Sequence, residues 1–79
     1  MKIDLAIYKT KKQLLDLFAD TLPEMYGKNY DALADALTAI EEPFAIEFVN
    51  SDKYEQKDML VQILTDVKSY NDNLNVTID

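Results

Sequence analysis

Three β-type runs, each divided from the next by a stretch of helical period, leave this chain few ways to fold. KIDLAIY (Lys2 to Tyr8) alternates Ile3, Leu5 and Ile7 with Lys2, Asp4 and Ala6, the two-residue period of a half-buried strand. FAIEFVN (Phe44 to Asn50) follows Pro43 as an almost continuous apolar run, which predicts a strand buried on both faces. LNVTI (Leu74 to Ile78) is a third strand. Between the first two, Thr10 and Gln13 have the spacing of a capping box, and Leu14, Leu15, Phe18 and Leu22 recur at helical spacing, predicting a helix over Lys11 to Thr21. Pro23 stops it. Glu24 to Lys28 then form a loop in which Gly27 can take a positive φ, and Asn29 caps a second helix. Ser51 or Asp52 is expected to cap the last helix, whose apolar face is Met59, Leu60, Ile63, Leu64 and Val67. Strand, helices, strand, helix, strand is the order of a parallel sheet with right-handed crossovers. The fold class is α/β.

At 79 residues the chain makes one domain, residues 1–79, burying only about 60% of its unfolded surface. With 48% apolar residues and a single glycine it has the composition of a folded protein. Cysteine is absent, so no disulfide or thiolate metal site staples the core. The N-terminus lacks the apolar run of a signal peptide, and no stretch approaches the ~18–20 apolar residues of a membrane span. The expectation is a cytoplasmic monomer that engages no membrane and needs no cofactor.

Charge narrows the function. The net charge is −7, against nucleic-acid binding, which needs a basic footprint. Six acids and no lysine lie between Asn29 and Asp52: Asp31, Asp35, Glu41, Glu42, Glu47 and Asp52. A basic partner suits that window. At about 100° per residue, Leu33, Ala36, Leu37 and Ile40 share one side of the second helix, while Asp31, Asp35, Thr38 and Glu42 gather on the other. Like charges four apart repel by roughly 0.2–0.5 kcal/mol. The helix N-terminus favours Asp31, but Asp35 lies a turn further in and Thr38 is a poor mid-helix residue. Such a face is either solvated surface or a binding surface.

Without histidine or cysteine the chain lacks the commonest general base and the best nucleophile. An exposed carboxylate pair offers no apolar pocket to raise one pKa, so an enzyme is not expected. Asp31, Asp35 and Glu42 are oxygen ligands of the kind that suit hard cations, but no EF-hand loop is present. No metal site is assigned. Tyr26 and Tyr30 lie near the acids, and Tyr30, beside the apolar sector, is expected to pack.

The stretch LPEMYGKNYDALADALT (Leu22 to Thr38), followed by EEPFAIEF, resembles the signature of the barstar family of proteinaceous ribonuclease inhibitors. Beyond that motif the resemblance is one of pattern, reaching the VQILTDVK helix and the last strand. It implies a barstar-like, three-stranded parallel sheet in order 1-2-3 with helices packed on it in two layers. The short third helix is implied to be reduced or merged with the last. The second helix and its preceding loop would plug the basic active site of a ribonuclease or ribonuclease toxin, one to one, as an antitoxin or immunity protein does. By the same resemblance Asp35 enters the phosphate site, Asp31 engages neighbouring basic groups, and Asn29, Gly27 and Thr38 are contacts. Asp66 faces a further basic residue. Met25, Ala34 and Ile40 stand where the family carries aromatics that pack on the enzyme, which points to a different target enzyme. The alternative is a non-inhibitory acidic interaction module with this fold.

Overall fold

The computed structural model describes residues 1–79. Its elements are β1 (Lys2–Asp4), α1 (Lys11–Thr21), α2 (Tyr30–Thr38), β2 (Phe44–Val49), a 3-10 turn (Ser51–Lys53), α3 (Lys57–Tyr70) and β3 (Leu74–Ile78). The three strands form one parallel sheet in order β1-β2-β3, the order expected. Two right-handed crossovers that step in the same direction put their helices on the same face of a sheet. The strands show the consequence: Ile3, Ile46, Phe48 and Leu74 are buried, whereas Lys2, Ala45, Glu47, Asn75 and Thr77 face water. β2 therefore alternates along its length and is not buried on both faces, which corrects the expectation for FAIEFVN.

The first strand is also shorter than its alternation predicts. The Asp4 carboxylate accepts the Ala6 N–H at 2.9 Å, and the Asp4 carbonyl accepts from Ile7 and Tyr8 at 3.0 and 3.1 Å. These bonds fold the backbone back on itself. Leu5 still enters the core, but Ile7 is left exposed.

Thr10 and Gln13 form the expected capping box. On α1, Leu14, Leu15 and Phe18 are buried, and the Phe18 ring lies 6.4 Å from that of Phe48, tilted by 55°. α3 does not begin at Ser51 or Asp52. Those residues form the separate 3-10 turn, entered through Asn50 at φ 56°, a left-handed conformation that asparagine tolerates. α3 starts behind Gln56, which makes no side-chain capping bond. Leu60, Leu64 and Val67 carry its apolar stripe, while Ile63 is half-buried and Met59 is 48% exposed.

Candidate functional site

α2 is a nine-residue helix, too short to be stable by propensity alone. Its two ends are pinned by different means. At the N-terminus the Asn29 side chain accepts the Ala32 N–H at 2.7 Å, the expected cap. The next residue, Tyr30, is tied into a hydroxyl relay. Its hydroxyl donates to Gln56 Oε1 at 2.7 Å, so the single proton left for the 2.7 Å contact between Tyr30 and Tyr54 is the one on Tyr54. Burial pushes both phenols above the ordinary tyrosine range, and Tyr54 is raised further by donating to Tyr30. The ammonium of Lys11 stands 5.0 Å above the Tyr30 ring. Tyr30 is thus a packing residue, as its place beside the apolar sector suggests.

At the other end α2 has no basic residue in its last turn. Asn71, only 7% exposed, supplies the donors instead. Its Nδ2 bonds the carbonyls of Leu37 and Ile40 at 2.9 Å and, more weakly, that of Thr38 at 3.3 Å, while its Oδ1 accepts the Asn73 N–H at 3.0 Å. One side chain from the end of α3 thereby satisfies the carbonyls that a helix end leaves open. Sequence reading passed over Asn71, because nothing local distinguishes it from any other polar residue after a helix.

Between these fixed ends Asp31 and Asp35 are both exposed, Asp31 in the first turn. Neither makes an ion pair. The two salt bridges of the chain both use Asp16: with Lys12 at 2.7 Å and with Lys28 at 3.1 Å. Hydrogen bonds from Lys12 and then Lys28 hold the Asp16 carboxyl below its ordinary range. Lys28, the one cation in the loop before α2, is in this way turned toward α1. Thr38 is exposed, and its hydroxyl donates to the Ala34 carbonyl at 2.7 Å, which leaves its oxygen free only to accept from a donor outside the chain.

The structure places the other expected residues less uniformly. Gly27 has no positive φ, which corrects the reason given for it. Its need is space, because a Cβ there would press to 3.2 Å on the Asn29 side-chain amide, beside the cap of α2, and to 3.5 Å on the Ala32 Cβ. Met25, expected against the partner, is 8% exposed and belongs to the hydrophobic core. The large apolar side chain that the loop exposes is Tyr26, at 88%. Leu22 and Met25 both turn inward, with the Met25 N–H bonded to the Leu22 carbonyl at 3.1 Å. Glu42 is also displaced. α2 ends at Thr38, so Glu42 lies beyond the helix, beside Glu41 in a groove that includes Ile40 and Phe44. No three acidic side chains converge as a cation-binding group.

Asp66, remote in sequence, does join α2. Asp31, Ala34 and Asp66 line one groove of about 430 Å³ together with Tyr30, Met59 and Ile63. The acidic surface therefore spans α2 and α3. No helix of the chain is long and apolar enough to cross a membrane. The family model described as Barstar (barnase inhibitor) matches the chain over residues 1–78. No curated protein sequence matches it.

Proposed function

The chain belongs to the barstar family, and from that membership and the acidic face of α2 we propose that it inhibits a basic microbial ribonuclease or ribonuclease toxin by occluding its active site. A ribonuclease must bind phosphate, so its cleft is basic. Carboxylates can stand where phosphate oxygens would sit and accept charge-assisted hydrogen bonds from arginine and lysine. In this reading Asp35 occupies the phosphate site, Asp31 and Asp66 meet cations on the rim, and Thr38, Asn29, Gly27 and Tyr26 border the contact. No bond is made or broken. The complex is one to one, and the repulsion between Asp31 and Asp35 in the free helix is relieved when both find cations.

The observation that carries this reading is the unpaired state of Asp31 and Asp35 on a helix held at both ends. The helix that carries the carboxylates is already formed in the free protein, so little backbone ordering is lost on binding. The test is an inhibition titration of RNA cleavage by a panel of basic microbial ribonucleases, barnase among them. Activity of at least one enzyme should fall to zero at equimolar inhibitor, and Asp35→Ala should weaken that inhibition by more than about tenfold, or ~1.4 kcal/mol. Cleavage by every enzyme undiminished at large excess, or inhibition indifferent to Asp35→Ala, would sink the proposal.

A further inference from the structure

We infer that the groove between α2 and α3 seats an aromatic side chain projecting from the basic rim of the partner ribonuclease. This rests on the function proposed above and specifies the partner's shape. Ala34 flanks the exposed face of α2 on the side toward α3 and is half-buried, and its small side chain leaves the groove open. Met59 and Ile63 from α3 and the Tyr30 ring complete an apolar floor. Met59 belongs to the apolar sequence of its helix yet remains 48% exposed. A thioether beside a ring is a favourable contact, and it adapts to the ring that enters. The rim is anionic: Asp31 and Asp66 line the groove, no cation does, and neither is paired within the chain. The electropositive edge of an aromatic ring, flanked by lysine or arginine, meets both requirements. A second copy of this chain does not, because its own acidic face and net charge of −7 would oppose the same carboxylates. In this arrangement the inhibitor presents the hollow and the enzyme the aromatic knob.

The groove is testable without the enzyme. Methyl-labelled and amide-labelled protein is titrated by NMR with three probes: tryptamine, which joins a ring to a cation; indole-3-acetate, which joins the ring to an anion; and butylamine, a cation alone. Tryptamine should shift the methyl signals of Met59, Ile63 and Ala34 at millimolar concentration. Indole-3-acetate should bind several-fold more weakly, and butylamine should leave the Met59 methyl unmoved. Ala34→Trp, which fills the groove from within, should abolish the tryptamine response while the rest of the amide spectrum shows the fold intact. Met59→Ala, a change at an exposed site, should weaken it. Equal response to butylamine, shifts scattered away from the groove, or an unchanged response in both variants overturns the inference. Inhibition of a ribonuclease with no tryptamine site removes the groove alone, whereas a tryptamine site with no ribonuclease inhibited removes the proposed function alone.

Discussion

Replacing Asn71 with leucine tests whether one amide at the end of α3 holds the acidic helix in shape. Leucine repeats the branching of asparagine at Cγ with bulkier methyl groups, so the change removes donors without opening space for water. Besides the weak 3.3 Å bond to the Thr38 carbonyl, three interactions are lost. The Leu37 carbonyl, whose 2.9 Å bond to Asn71 is buried, is stranded at a cost of about 1–3 kcal/mol. The Ile40 carbonyl, bonded at 2.9 Å in a part-buried setting, loses a bond worth roughly 0.5–1.5 kcal/mol. The Asn73 N–H loses its acceptor at 3.0 Å, and added apolar burial offsets part of the total. The net expected loss is about 2–4 kcal/mol. For a domain of this size each kcal/mol moves the melting temperature by roughly 4–8 °C, so the variant should melt about 10–30 °C lower. Circular dichroism melts and urea titrations measure this directly. Asn73→Ala is the control, deleting only the exposed 3.2 Å bond to the Glu41 carbonyl, and should cost less than about 0.5 kcal/mol. If Asn71→Leu melts within a few degrees of wild type, the helix end does not depend on that amide.

Asp31→Ala should weaken ribonuclease inhibition less than Asp35→Ala, and only Asp35→Ala should melt at or slightly above wild type as like-charge repulsion is removed, since Asp31→Ala also gives up the favourable charge at the helix N-terminus; a larger inhibition loss at Asp31, read in parallel inhibition and melting curves, would reverse the assignment. Association with the ribonuclease should slow steeply as the Debye length shrinks from ~30 Å at 0.01 M salt to ~8 Å at 0.15 M, with dissociation changing less; stopped-flow rates indifferent to salt would exclude acidic steering. Stability should also fall at alkaline pH. Tyr54 is raised above its ordinary value of 10.0, so above about pH 10 the folded state keeps a proton that the unfolded chain releases, and each further rise favours unfolding. Tyr54→Phe should flatten that decline in urea titrations at pH 9 to 11, and an unaltered slope would place its origin elsewhere.

The features legible in the residues alone are those made by neighbours along the chain. The capping box of Thr10 and Gln13 and the Asn29 cap follow from side chains reaching backbone three residues away, and the bounds of α1 and β3 follow from the period of their apolar residues. The alternation of strand and helix signals led to the parallel order, because few topologies suit three short strands divided by helices. The acidic face of α2 was legible for the same reason: a fixed angle per residue carries Asp31 and Asp35 to one side wherever the helix lies.

Tertiary structure decided what depends on distant partners. KIDLAIY reads as one strand, yet the Asp4 carboxylate and carbonyl claim the next N–H groups and end it early. FAIEFVN reads as doubly buried, but helices on one face leave Ala45 and Glu47 in water. A methionine in a polar loop gives no sign of its direction, and only the packed core draws Met25 inward and leaves Tyr26 outside. Asn71 carries no local pattern at all, since the carbonyls it serves lie 31 to 34 residues away. The groove that joins Asp31 to Asp66 likewise exists only once α2 and α3 lie side by side. Spacing along a helix decides which face a carboxylate occupies; the packing of that helix against its neighbours decides what stands beside it.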